Sequence, residues 1–131
     1  MEHLLTARDF QRDVGKQLND QYLDRCDDRY KWLLRYFRIE YADRPVDDDG
    51  VDVLSPEVKE YLISWTAVQV LRDNLSVTLR ETRLGTIDED PYRSRFFAYE
   101  RSMKENFAIL TRNGVLGSFP GAHNTAILYT S

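Results

Sequence analysis

Residues 55–75 read SPEVKEYLISWTAVQVLRDNL, and this stretch decides the fold. Ser55 is placed to cap a helix with its side chain. Pro56 fits the first turn, where no N–H partner is needed, and Glu57 puts a carboxylate at the positive helix end. Behind that start, Val58, Tyr61, Leu62, Trp65, Val68, Leu71 and Leu75 recur at spacings of three and four, one apolar stripe of an α-helix. Further on the period is ambiguous. Leu75, Val77 and Leu79 alternate with Ser76, Thr78 and Arg80 as in a strand, while the helical stripe can also be carried on to Leu79. The helical continuation, to about residue 82, is preferred.

The same start recurs downstream. After a short acidic loop at 86–90, Asp90-Pro91 opens a stripe of Phe96, Tyr99 or Glu100, Met103, Phe107 and Leu110. Asn113-Gly114 closes it, because glycine takes the left-handed position after a helix without steric cost. Upstream, residues 41–54 form a linker in which Pro45 and Asp47-Asp48-Asp49-Gly50 stop any helix. Before the linker, Phe10, Val14, Leu18, Tyr22, Cys26, Tyr30, Leu33 or Leu34, and Phe37 give another helical stripe, with Thr6 as cap and Asp9 in the first turn. Asn19-Asp20 could divide it into two helices. The stripe keeps phase across that pair, so one long helix over about 7–39, at most mildly kinked, is expected.

These readings add up to an all-α protein, a small antiparallel bundle of three main helices over residues 1–114. Trp65, Leu62, Val68, Phe96, Met103 and Phe107 should form its core. Residues 115–131 differ in kind. They hold Gly117, Pro120 and Gly121, no helical period, and the apolar run Ala126-Ile127-Leu128-Tyr129. An extended C-terminal tail is expected, with Phe119, Ile127, Leu128 and Tyr129 as anchors on a partner.

Composition bounds the class. The 131 residues suffice for one cored domain, and 42% apolar with 31% charged residues describes a globular chain. No run approaches the roughly 20 apolar residues of a membrane span. The polar start, residues 1–12, lacks the apolar core of a secretory signal, and the single Cys26 allows no internal disulfide, which fits a reducing cytoplasm. Net charge is −4, from 18 Lys plus Arg against 22 Asp plus Glu, which argues against tight binding of nucleic acid.

No catalytic, metal or cofactor site is expected. His3 and His123 stand at opposite ends in no motif and read as surface histidines. Cys26 lies on the apolar stripe and reads as a small core filler. Asp47, Asp49, Gly50 and Asp52 are spaced like part of a calcium loop, but Pro45 and Pro56 fall where ligands are required, so a solvated acidic linker is expected. Gly114, Gly117 and Gly121 make no phosphate loop. The remaining signal is aromatic and cationic. Trp32, Tyr36, Tyr41, Trp65, Tyr92, Phe97 and Tyr99 exceed what three stripes obviously bury, and arginine dominates the basic residues. Both residue classes are enriched at protein interfaces.

The stretch 55–62 with residues 65–74, and the stretch from Asp90-Pro91-Tyr92 through Tyr99 to Leu110, give the chain a pattern that resembles the head–tail connector (adaptor, neck) proteins of tailed bacteriophages. The likeness is one of pattern, over about residues 54–114, without a diagnostic motif. The resemblance implies a structural virion protein without catalytic activity. Copies of the chain, commonly twelve, would form a ring below the portal protein and above a downstream tail or neck protein, with genomic DNA passing through as cargo. Such a particle is assembled in the host cytoplasm. Arg93, Arg95, Tyr99 and Arg101 would supply the Tyr/Arg-rich face for contacts between subunits. The alternative is a generic helical interaction or regulatory module of a bacterium or phage, which would be a monomer or dimer.

Overall fold

A computed structural model describes residues 3–81 and 91–113. Among these residues four α-helices follow one another: α1 Arg12–Gly15, α2 Asp20–Tyr36, α3 Pro56–Glu81 and α4 Pro91–Arg112, with 3-10 turns at Ala7–Asp9 and Tyr41–Asp43. α3 and α4 start at Pro56 and Pro91, where the sequence places them. Ser55 Oγ accepts the Val58 N–H at 3.3 Å, capping α3. The stretch from Leu75 onward is helical as far as Glu81, which decides the ambiguity there against a strand.

The expected long first helix is broken. Asn19 has an extended backbone, and its side chain accepts the Tyr22 N–H at 3.1 Å. An asparagine that caps the next helix competes with continuation of the one before it. Gly15 weakens the preceding turn further. It also lets the Ala7 turn approach: a Cβ at Gly15 would meet the Ala7 carbonyl oxygen at 3.1 Å. At the front of that turn the Asp9 carboxylate accepts the Thr6 N–H at 2.8 Å, so Thr6 and Asp9 serve a 3-10 turn and not a long helix.

At its other end α2 closes in a Schellman motif. Ile39 N–H donates to Leu34 O at 2.8 Å, Arg38 N–H donates to Arg35 O at 3.0 Å, and both Ile39 and Leu34 are buried. Arg38 occupies the left-handed position, at φ +61°, where a side chain is strained. Arg38→Gly should therefore stabilise the protein by roughly 0.5–1 kcal/mol, with Arg38→Ala near neutral, in urea unfolding. A destabilised glycine variant would contradict this account of the motif.

The linker is a short hairpin. Val46 and Asp52 form one antiparallel bridge, Gly50 turns at φ +79°, and Asp47 Oδ1 accepts the N–H groups of Asp49 and Val51 at 2.8 and 2.9 Å. Arg44 pairs with Asp52 across its base.

α3 is the central helix, antiparallel to both long neighbours. Tyr22 and Arg25 on α2 reach Asp73, while Arg29 reaches Tyr61. On the other side, Asn106 of α4 donates to Glu60 O and Ser64 Oγ near the start of α3. Contact on two sides buries Val58, Tyr61, Leu62, Thr66, Ala67, Val68, Val70 and Leu71. Of the expected core, Leu62, Val68 and Phe96 are buried, while Trp65, Met103 and Phe107 are half-buried against it. The first stripe also faces the core, with Phe10, Val14, Cys26, Tyr30, Leu33 and Leu34 buried. Among the described residues no helix is long and apolar enough to cross a membrane.

Candidate protein-interaction surface

α4 decides which arginines are available. Its side away from the core carries Arg93, Phe97 and Arg101 at spacings of four, all exposed. The Arg93 guanidinium lies 5.7 Å from the Phe97 ring centroid, and Phe97 is 48% exposed. Among the described residues, neither Arg93 nor Arg101 makes an ion pair.

The other two residues expected on this face are partly covered by the chain itself. Arg95 is half-buried and pairs with Asp13, tying α4 to α1. Tyr99 is half-buried against the core, and burial pushes its hydroxyl pKa up. Tyr99 already belongs to the apolar stripe of α4, so its inward placement was readable. The pairing of Arg95 with a carboxylate 82 positions away was not. The tail anchors Phe119, Ile127, Leu128 and Tyr129, and also His123, lie outside the described residues.

The aromatic excess divides in the same way. The Arg29 guanidinium lies 3.6 Å from the Trp32 centroid and 5.2 Å from that of Trp65, and donates to Tyr61 Oη at 2.8 and 3.0 Å. Arg29 is thus used to join α2 to α3. Phe107 meets the rings of Trp32, Tyr36, Phe37 and Tyr61 at centroid distances of 5.3–6.3 Å, where α4 crosses the end of α2. Among the described residues, exposed aromatics remain at Tyr36, Tyr41 and Phe97. Arg44 stacks on Tyr41 at 4.0 Å, beside a groove of about 420 Å³ floored by Leu34 and Ile39 and edged by Lys31 and Arg35. The hairpin next to Tyr41 exposes Val46 and Val51, with Asp47, Asp48 and Asp49 at its tip.

His3 corrects another expectation. It is half-buried, and Nδ1 meets Asp27 Oδ2 at 2.8 Å, with Asp24 and Asp20 each 3.6 Å from the ring. Asp27 Oδ1 accepts the Leu4 N–H at 3.0 Å. Three aspartates one turn apart on α2 thus clamp the N-terminal segment and seat the buried Leu5. The spacing of Asp20, Asp24 and Asp27 was visible in sequence, but nothing local linked them to His3. Nδ1 and the carboxylates of Asp24 and Asp27 lie within 4.8 Å of one another, close enough to share a cation, although the hydrogen bonds already account for the arrangement.

The hydrogen bond to Asp27, with the charges of Asp27, Asp24 and Asp20, raises the His3 pKa above 6.5 against the opposing effect of burial. A raised pKa in the folded state means the clamp stabilises fully below about pH 6.5 and fades as pH rises through the folded-state value. The stability difference between the native chain and His3→Gln should shrink on going from pH 6 to pH 9. A difference independent of pH, measured by thermal unfolding, would contradict the clamp. Cys26 is the core filler expected of it, fully buried, its thiol pushed up to about 11 by burial.

Compared with known proteins, the chain matches no family model, no curated sequence and no solved structure.

Proposed function

We propose that this protein is a structural assembly subunit, a ring-forming head–tail connector between the portal and the tail of a bacteriophage. The observation that carries the reading is the surface of α4. A closed core leaves Arg93, Phe97 and Arg101 outside, a cationic and aromatic ridge of the composition that protein interfaces favour. The wider pattern supports it. A central helix packed on both sides gives a rigid block, as a load-bearing ring requires. The net charge of −4 per copy suits a conduit that DNA passes without adhering, since repeated negative subunits repel phosphates. Its place would be the virion neck, assembled in the host cytoplasm, with the portal protein on one side and a tail or neck protein on the other.

The test is a measurement on the assembled particle. Subunit counting by mass and electron cryo-microscopy should find this chain as a closed ring at the neck, with an open central channel. Its absence from the particle, or its presence as a single copy off the axis, would refute the reading.

A further inference from the structure

The ridge on α4 has a counterpart on the same molecule. It combines one exposed aromatic ring with two arginines. The hairpin combines an exposed apolar pair, Val46 at 45% and Val51 at 53%, with the carboxylates of its tip. Asp47 is occupied in holding the turn. Among the described residues no cation pairs with Asp48 or Asp49. Glu100, beside the ridge, is engaged with Lys104 at 3.8 Å. The two patches are therefore opposite in charge, and each exposes apolar surface.

Within one copy no ion pair joins them among the described residues. The hairpin leads into the start of α3, and that end of α3 lies beside Asn106 in the last third of α4. Arg93 is at the other end of α4, about 20 Å away along the axis at roughly 1.5 Å per residue. Two different patches, each complementary to the other, define a heterologous contact. Such contacts run head to tail and generate rings where the rotation closes.

We infer that the Arg93–Phe97–Arg101 ridge of one copy docks on the Val46–Val51 hairpin of the next, Phe97 covering one of the two exposed valines while the arginines face Asp48 and Asp49. The inference rests on the neck reading and gives it a specific contact.

Charge reversal tests it in both directions. Arg93→Glu with Arg101→Glu, and separately Asp48→Lys with Asp49→Lys, change only exposed positions, and circular dichroism checks that both variants fold. Sedimentation velocity on the native chain should show self-association. Either variant alone should associate at least about tenfold more weakly, and so should Phe97→Ala. An equimolar mixture of the two charge variants should recover assembly, because each face then meets its opposite on the other variant. Variants that associate like the native chain, a mixture that fails to recover, or a native chain that stays monomeric would each overturn the contact. The neck reading is decided separately, by the presence or absence of the ring in the particle.

Discussion

Leu62→Ala should remove about 2–5 kcal/mol of stability, the range for truncating a fully buried leucine. Leu62 is 0% exposed on the helix that both long neighbours cover. Deleting its branched end loses the transfer energy of the removed carbons and leaves a cavity that cannot close easily, because α3 is held from two sides. A domain of this size has about 5–15 kcal/mol in total, so the midpoint of urea unfolding should fall well below that of the native chain. Phe97→Ala supplies the contrast. Phe97 is a larger side chain, but it is 48% exposed, and its loss should alter stability by about 0.5 kcal/mol or less. A midpoint that hardly moves for Leu62→Ala, or one that drops as far for Phe97→Ala, would mean that core and contact surface have been exchanged.

That contrast also shows where the sequence is readable. α3 and α4 begin where a capping residue precedes a proline, a local signal with a local cause, and α4 spans Pro91–Arg112 as expected. The first region misled because an apolar stripe reports which face meets the core, not whether the backbone between its members is continuous. Phe10, Val14, Cys26 and Tyr30 share one core although Asn19 interrupts the helix between them. At the surface, the four candidates on α4 separate by what lies across from them. Arg93 and Arg101 face outward, Tyr99 follows the stripe inward, and Arg95 finds Asp13. The His3 clamp and the pairing of Arg44 with Asp52 belong to the same class, contacts between segments that only the fold brings together.

Deleting residues 121–131 should leave the bundle intact and abolish assembly onto the partner, on the proposal that the chain is a neck subunit. Among the described residues the buried core runs from Leu5 to Leu110, so the deletion removes none of that core, and the unfolding free energy should stay within a few tenths of a kcal/mol of the native value. Binding is another matter. Ile127, Leu128 and Tyr129 lie in the deleted part, and burying such side chains on a neighbour contributes about 1.5–3 kcal/mol each. Ordering costs about 1–2 kcal/mol per residue, so fixing the three anchor residues alone offsets most of that gain for one tail. One tail should hold weakly, whereas a ring presents many at high effective concentration, so the assembled ring should lose about a hundredfold or more in affinity on truncation. Substituting Ile127 and Tyr129 by serine in the full-length chain should reproduce most of the loss while keeping the chain length, which separates side-chain anchoring from mere reach. Should the truncated chain assemble at native affinity, or lose stability in proportion to its loss of binding, the tail would be serving its own bundle and not a neighbour.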